Sequence, residues 1–301
     1  MEYYWEIFVD ILHHAAIGYA GAMSLAAAGQ PLASVAFLAA SVLPDADIIY
    51  MAGGKRAYLK AHQSTTHSAL LAALASLALG AAGGVAFGPS EGIGAGLAFL
   101  AGFLVHVLLD ASNTLGTHLL WPFGRRVRLD AVFFIDALSW ALTLSVLATL
   151  WATEAAWPIL PYALAMILQI LFRAHLSRHA RLESGYPIAI PDPLLPWVYH
   201  LTRPEEDGSA SIARWSPRRG PHAQARTRPP SLAAVEAITR SEAVVGMSDF
   251  ARALTVVDEE NCPDAHRIVL RDVAMRRLGA RYGEVTLSIR KNGDLHESIN
   301  I

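Results

Sequence analysis

The chain has 301 residues, of which 53% are hydrophobic and only 17% are charged. Because about a quarter of the residues in a soluble protein are charged, this composition excludes an ordinary soluble globular protein. The formal net charge of -2 gives no sign of a nucleic-acid partner, and we expect none. Cys262 is the single cysteine, so no disulfide can form within the chain.

The apolar residues are distributed unevenly along the chain. They lie almost wholly before residue 173, and the remainder is rich in Arg, Pro, Ser and Glu. We therefore expect a membrane-embedded domain at 1–185 and a soluble cytoplasmic domain at 186–301. The first residues, Met-Glu-Tyr-Tyr-Trp-Glu, contain neither a basic stretch nor an Ala-x-Ala site, so we expect no cleaved signal peptide.

Several apolar runs are long enough to cross a bilayer, which takes about 20 helical residues or somewhat fewer. Four of them are 69–87, 93–109, 131–152 and 155–172. Two earlier runs are less regular, because 7–29 contains His13 and His14 and 32–43 runs into Asp45 and Asp47. They form either full spans or a shallow hairpin. The predicted fold class is mainly α, with a multi-pass helical membrane domain of four to six spans and a small α+β C-terminal domain.

Basic residues alternate between the connections of the predicted spans. Lys and Arg are absent at 29–31, 88–92 and 153–157, but frequent at 53–67, at 111–130 and after 172. Because basic loops stay in the cytoplasm, this pattern predicts a multi-pass protein of the bacterial inner membrane with both termini cytoplasmic. It also places the polar clusters described below on the cytoplasmic side.

After a proline-rich connector, the C-terminal part contains patterns typical of strands and of a short helix. We expect strands within 197–215, a mobile loop within 204–231, a short helix at 232–243 and a strand at 266–273. An Asn-Gly pair flanked by alternating apolar residues predicts a β-hairpin at 284–299.

The apolar helix at 93–109 ends in a polar pair. His106 and Asp110 are four residues apart, so their side chains share one helix face. Burying them among Leu, Val and Phe is costly without partners. They either hydrogen-bond with each other or bind a metal, and the carboxylate could bridge two ions.

Two further clusters flank the basic loop at 53–67. Asp45 and Asp47 follow an apolar run, and carboxylates so close repel each other unless a cation is near; the alternative is a helix N-cap. His62 and His67 precede the next apolar helix, where nearby Ser and Thr explain capping but not two histidines. Neutral imidazole is the commonest metal ligand in proteins.

The remaining polar residues of the apolar part allow more than one interpretation. His13 and His14 are either an interfacial pair or a source of one ligand, and His118 could reach the same site. Asp136 lies within a predicted span. A carboxylate is costly there and therefore usually marks a functional site. We expect its partner to be a metal-site histidine or a basic residue of the loop at 125–128.

His175, His179 and Glu183 share a helix face because they are four residues apart. They form a second metal site or, as we favour, the polar side of an amphipathic surface helix. Mixed His and Asp ligands without a thiolate cluster indicate zinc, with manganese or iron as alternatives, in a hydrolytic role. Such ions could activate a water and hold a phosphoryl or acyl oxygen.

Several motifs occur in a recognisable order over residues 10–140. They are His14-x-x-x-Gly18, Leu43-Pro-Asp45-x-Asp47, His62 with Thr66-His67-Ser68, His106-x-x-Leu109-Asp110 and Gly116-Thr-His-Leu-Leu-Trp-Pro-Phe123. This order resembles the bacterial family of inner-membrane metal-dependent hydrolases, some of which are LexA-regulated. The resemblance implies a multi-pass inner-membrane protein that uses a divalent metal for hydrolysis.

A more distant likeness is to zinc-dependent phospholipase C, which has His, Asp, His and His-x-x-x-Asp in the same order. It implies the ligands His14, Asp45, one of His62 and His67, His106 and Asp110, with the series continued by His118, His179 and Glu183. The phospholipase also uses its N-terminal tryptophan as a ligand, whereas this chain starts Met-Glu-Tyr-Tyr-Trp. We therefore expect one or two ions rather than three.

These observations together predict a membrane-bound metal-dependent hydrolase with its site at the cytoplasmic leaflet. Metal-activated water would be the nucleophile, and Asp45 or Asp47 could be the general base if a metal does not coordinate it fully. Membrane lipids are the expected partners, and a phospholipid, isoprenoid phosphate or other lipid-linked phosphoester is the expected substrate. The alternatives are a divalent-metal transporter, which Asp136 favours, and a metal-dependent membrane scaffold or sensor.

Overall fold

The computed structural model describes residues 5–133, 135–248, 250–278 and 283–300. The chain divides into two compact units. Within the described residues, the helical unit runs from the start to Ile49 and over Ala61–Ala174, and the C-terminal unit contains Tyr50–Lys60 and the residues from His175 onward. The sequence predicted a domain boundary after residue 185, whereas the helical unit ends at Ala174. A segment that begins at residue 50 also belongs to the C-terminal unit.

The helical unit is built of long helices with mostly short connections. They are α1 at Trp5–Ala27, α2 at Pro31–Val42, α4 at Ala69–Phe87, α5 at Pro89–Ser112, α6 at Ala137–Thr153 and α7 at Ile159–Ser184, whose last residues belong to the C-terminal unit. Between α2 and α4 the chain forms a short helix, α3 at Lys55–Ala61, flanked by 3-10 segments at Leu43–Gly53 and Thr65–His67.

Four helical segments in the described part of the chain are long and apolar enough to cross a membrane. They are Pro31–Gly53, Ala69–Phe87, Pro89–Ser112 and Ile159–Ser184. Much of their apolar surface faces outward, and in α4 only 17% of the most apolar stretch is buried within the protein. Contiguous exposed apolar surface of this extent requires a hydrocarbon environment. The predicted multi-pass, mainly helical membrane fold is confirmed.

α6 is shorter than the span predicted at 131–152. Its 17 residues begin at Ala137 because Asp136 caps the helix, accepting a hydrogen bond from the backbone N–H of Ser139 at 2.9 Å. Asp136 therefore lies at a helix terminus, and not about six residues inside a span as its sequence position suggested.

The helices α4 and α5 pack closely against each other. A Cβ atom on Gly92 would lie 2.2 Å from the backbone nitrogen of Gly84 and 2.3 Å from the carbonyl oxygen of Gly80. The hydroxyl of Ser76 donates a hydrogen bond to the Gly96 carbonyl oxygen at 2.6 Å across the same interface. Small residues stabilise helix pairs in membranes by letting the backbones approach closely. Glycine is therefore required at position 92, because any side chain there would collide with the backbone of α4.

α5 also approaches α2 closely, and this contact positions the polar residues near the ends of both helices. A Cβ atom on Gly102 would lie 2.4 Å from the carbonyl oxygen of Phe37. His106 follows Gly102 by one helical turn, and Ser41 follows Phe37 by one turn. The close contact thus brings the ring of His106 to the backbone of Ser41.

The C-terminal unit, as far as it is described, consists mainly of two four-stranded antiparallel sheets. The first has the strand order β1-β2-β3-β4, at Ile188–Pro191, Tyr199–Pro204, Ala210–Ser216 and Gly220–Arg226. The second has the order β5-β6-β7-β8, at Leu254–Asn261, Ala265–Asp272, Glu284–Arg290 and Leu295–Asn300. Two short helices, α8 at Leu232–Arg240 and α9 at Glu242–Ser248, separate the sheets in sequence.

Most of the local predictions for this unit agree with the structure. The strands within 197–215 and at 266–273 and the hairpin at 284–299 are confirmed. The helix predicted at 232–243 is present as the pair α8 and α9. The mobile loop predicted within 204–231 is wrong in large part, because β3 and β4 pair there. β4 has no buried residues, so it lacks the alternating apolar pattern that identifies a strand.

Replacing Gly92 with Ala is expected to lower the free energy of unfolding by about 2 kcal/mol or more, because the added methyl group forces the α4 and α5 backbones apart. Gly94→Ala is the matched control on the same helix, since the nearest atom to its Cβ, Oε1 of Gln30, lies 3.5 Å away. Thermal unfolding in detergent measures both variants. Equal stability of the two would contradict the close packing at Gly92.

Candidate metal centre

Six polar side chains converge in the helical unit, at the end where α2 and α5 finish and α4 begins. They are Asp10 and His14 from α1, Asp45 from the 3-10 segment after α2, His67 from the segment before α4, and His106 and Asp110 from α5. The three histidines and Asp110 are buried. Buried imidazole and carboxylate groups need polar partners or a cation.

Asp110 lies in the middle of the cluster and faces two groups of side chains. Its Oδ1 lies 3.1 Å from His14 Nε2. Its Oδ2 lies 3.0 Å from His67 Nε2 and 3.5 Å from His106 Nε2. Each carboxylate oxygen thus serves a different group, as expected for a carboxylate that bridges two ions.

The backbone determines which nitrogen of His106 faces the cluster. Its Nδ1 lies 2.8 Å from the carbonyl oxygen of Ser41 and donates its proton there. The Nε2 atom therefore presents its lone pair to the cluster, 3.5 Å from Asp45 Oδ1. Metal-binding histidines are commonly oriented by a backbone carbonyl in this way.

His67 also enters the cluster through Nε2. This atom lies 3.3 Å from His106 Nε2, a separation that is unfavourable for two lone pairs unless a proton or cation lies near them. The other ring nitrogen lies 3.0 Å from the hydroxyl of Thr66. Burial holds the pKa of His67 below its usual value, which favours the neutral imidazole that metals bind.

The donor set fits one or two divalent cations. Three groups of potential ligands have donor atoms within 4.8 Å of one another: His67, His106 and Asp110; Asp10, His14 and Asp110; and His14, Asp45 and His106. Asp45 Oδ2 is buried and has no hydrogen-bond donor among the described residues. A buried carboxylate oxygen in this state is costly unless a cation or a bound molecule that donates a hydrogen bond lies beside it. Imidazole and carboxylate ligands suit zinc, manganese or iron.

Asp47 and His62 lie beside the cluster and pair with each other. Both carboxylate oxygens of Asp47 lie 3.1 Å from His62 Nδ1, and Oδ2 accepts a hydrogen bond from the backbone N–H of Gln63 at 2.9 Å. His62 belongs to none of the three ligand groups found among the described residues. Asp47 Oδ2 also lies 3.8 Å from His67 Nδ1, so this pair holds the segment that carries His67.

Hydrogen bonds connect the loop after α5 to the segment before α4 that carries His67. Arg126 donates hydrogen bonds to Gln63 Oε1 at 2.6 Å and to the Gly116 carbonyl oxygen at 3.0 Å. Gly116 has a φ of 69°, and a Cβ there would lie 2.3 Å from the Val127 carbonyl oxygen. His118 donates its backbone N–H to the Gln63 carbonyl oxygen at 3.0 Å. This motif therefore supports the cluster through its backbone.

Asp136 belongs to a separate buried network. It forms an ion pair with Arg173 of α7 and accepts hydrogen bonds from Ser139 Oγ at 2.9 Å and Gln169 Nε2 at 3.2 Å. Its partner is thus an arginine of another helix. The expectation that a metal-site histidine or a residue at 125–128 pairs with Asp136 is wrong, because the packing of α6 against α7 decides the partner.

The two neighbouring histidines of α1 have different surroundings. His13 Nε2 lies 3.2 Å from the hydroxyl of Thr143, and its ring stacks on Trp140 with the ring centroids 4.7 Å apart. His14 lies against Asp110 instead. Because successive residues of a helix point in different directions, only His14 enters the cluster.

His179 and Glu183 lie in the C-terminal unit, where both contact Trp215. Glu183 accepts a hydrogen bond from the indole N–H at 2.8 Å, and the His179 ring packs edge-on against the same indole. Both side chains are more than 40% exposed. They join none of the ligand groups among the described residues, and the contact with Trp215 explains their spacing.

Asp10 is a candidate ligand that sequence reasoning missed. Its Oδ1 lies 3.8 Å from His14 Nε2, and it shares a ligand group with His14 and Asp110. Asp10 and His14 are separated by four residues on α1, just as His106 and Asp110 are on α5. A second Asp/His pair at this spacing was a signal available in the sequence.

The model of the YdjM inner membrane protein family matches residues 9–180. This range is more than half of the chain, so the chain belongs to that family. The expected bacterial inner-membrane family is confirmed, whereas the likeness to metal-dependent hydrolases and phospholipase C stays a prediction. No curated protein matches the chain. No solved structure matches it either.

Replacing His14 with Ala is expected to remove bound divalent metal, because His14 faces Asp110 within the cluster. His13→Ala is the matched control, since His13 is the adjacent and similarly buried residue of the same helix. Elemental analysis of the purified proteins, loaded with zinc under the same conditions, measures the difference. Metal loss in both variants, or in neither, would contradict the assignment of His14 as a ligand.

Proposed function

We propose that this member of the YdjM inner membrane protein family is a metal-dependent hydrolase that cleaves a phosphoester of a membrane lipid at the cytoplasmic leaflet. Asp110 is the observation that carries the proposal, because its two oxygens face separate groups of ligands. Two ions held on either side of one carboxylate are typical of enzymes that hydrolyse phosphoesters.

The residues of the cluster divide between two ion positions. His67, His106 and Asp110 would hold one divalent ion, and Asp10, His14 and Asp110 would hold the second. When bound, such ions supply a nucleophile by lowering the pKa of water, and they stabilise negative charge on phosphoryl oxygens. Because the Ser41 carbonyl already orients His106, this ligand needs little rearrangement to bind.

Of the two carboxylates expected to act as general base, Asp45 is better placed. Its Oδ2 is buried without a hydrogen-bond donor in the described part of the chain, and its Oδ1 lies 3.5 Å from His106 Nε2. Both oxygens of Asp47 are held by His62. We therefore assign proton abstraction to Asp45 and positioning of the His67 segment to Asp47.

The charge distribution supports a cytoplasmic site. The sequence connections that follow α2 and α5 contain Lys55, Arg56, Lys60, Arg125, Arg126 and Arg128. The connections at the opposite helix ends, at 28–30, 88 and 154–158, contain no Lys or Arg. By the positive-inside rule, the cluster and both termini lie on the cytoplasmic side of a multi-pass protein.

A divalent-metal transporter is the alternative function. Transport requires polar ligands that can be reached from both sides of the membrane. The candidate ligands in the described helices gather at one end of the unit, and Asp136, which favoured transport, is paired with Arg173. These observations favour hydrolysis over transport. Metal uptake into vesicles containing the wild-type protein would instead support the transporter.

Metal content and lipid phosphoester hydrolysis, measured on the same purified samples, test the proposed function. Wild type is expected to retain about two divalent ions per chain and to hydrolyse the lipid. The double variant His106→Ala/Asp110→Ala is expected to lose both properties. Asp45→Asn is expected to keep the ions and to lower kcat by roughly a hundredfold or more, because proton abstraction is lost.

Two results would contradict the proposed function. One is full metal content and activity in the double variant, since the centre would then lie elsewhere. The other is a metal-loaded wild type that hydrolyses no lipid phosphoester in a screen of phospholipids and isoprenoid phosphates. Asp47→Asn serves as the comparison for Asp45→Asn, and its weaker effect should follow the loss of His67 positioning.

A further inference from the structure

A long apolar groove runs along α5 in the helical unit. Its volume is about 1270 Å³, and residues of α1, α2, α5 and α7 line it. On α5 the lining residues occupy one face from Gly94 to Ser112. At a rise of 1.5 Å per residue this face is about 27 Å long. The groove therefore extends over most of the roughly 30 Å thickness of a bilayer's hydrocarbon core.

The rim of the groove is open to the side. Apolar side chains that line it, among them Leu97 and Leu108 of α5 and Leu160, Ile167 and Leu171 of α7, are more than half exposed. In a membrane these side chains contact hydrocarbon. A lipid chain can thus enter the groove from the bilayer without crossing water.

The groove adjoins a smaller pocket of the polar cluster, which has a volume of about 20 Å³. Leu109, Met166 and Ile170 line both the groove and this pocket, whose other walls include Asp10 and His14. A molecule with its apolar chain in the groove would therefore place a polar head beside the candidate metal ligands.

We propose that the groove binds the chain of a long polyisoprenoid phosphate, with the phosphate at the end of the groove that adjoins Asp10 and His14. The proposal rests on the proposed function and names its substrate class. Length distinguishes the lipid classes, because one leaflet contributes only about 15 Å of the hydrocarbon core. The acyl chains of a phospholipid would fill about half of the groove, whereas a polyisoprenoid longer than one leaflet fills its length.

Binding of undecaprenyl phosphate, farnesyl phosphate and dioleoyl phosphatidic acid to the zinc-loaded full chain in nanodiscs tests the proposal. Wild type is expected to bind the undecaprenyl lipid roughly tenfold or more tightly than either of the others, because a longer chain makes more van der Waals contacts along the groove. The groove-filling variant Ala101→Phe/Ala163→Phe is expected to lose this preference. Both alanines line the groove and are exposed, so the added rings have room.

Ala82→Phe on α4 is the matched control, since Ala82 is an exposed helical alanine that does not line the groove. Equal wild-type affinity for the three lipids would overturn the proposal, and this comparison does not depend on any variant folding. An unchanged preference in the groove-filling variant, or self-association of wild type that this variant abolishes, would also overturn it. A wild type that prefers the long lipid but hydrolyses no phosphoester would overturn the proposed function and retain the lipid site.

Discussion

A carboxylate buried among three histidines is the constraint on which the helical unit depends. Asp110 is only 1% exposed, and placing a carboxylate in such surroundings costs several kcal/mol unless partners or a cation compensate it. Its neighbours His14, His67 and His106 come from α1, from the segment before α4 and from α5. The helices must therefore pack closely for the charge to be compensated, and glycine at position 102 permits this approach.

The surrounding layer keeps the ligands in place. The Ser41 carbonyl orients His106, the pair of Asp47 and His62 holds the segment before α4, and Arg126 fastens the loop after α5 to that segment. Fixed ligands lose less entropy when a metal binds. The same arrangement explains why polar residues that looked alike in the sequence divide into ligands and supports.

The sequence predicted those features that depend on neighbouring residues. The pair His106 and Asp110 was visible because both lie on one turn of one helix, and the apolar runs identified the membrane helices. Features set by distant contacts were not predictable, as the pairing of Asp136 with Arg173 shows. Asp47 and His62 were assigned to catalysis and metal binding by their residue types, but contact geometry pairs them with each other. The sequence also contains a signal for Asp10 as a ligand, namely its four-residue spacing to His14.

A two-ion centre bridged by Asp110 is the central claim, and X-ray absorption spectroscopy of the zinc-loaded protein tests it most directly. We expect nitrogen and oxygen ligands at about 2.0–2.2 Å from the metal and a second metal at about 3.5–4 Å. A spectrum with ligands but no neighbouring metal would contradict the bridging role of Asp110. A protein that binds no zinc would contradict the metal centre itself.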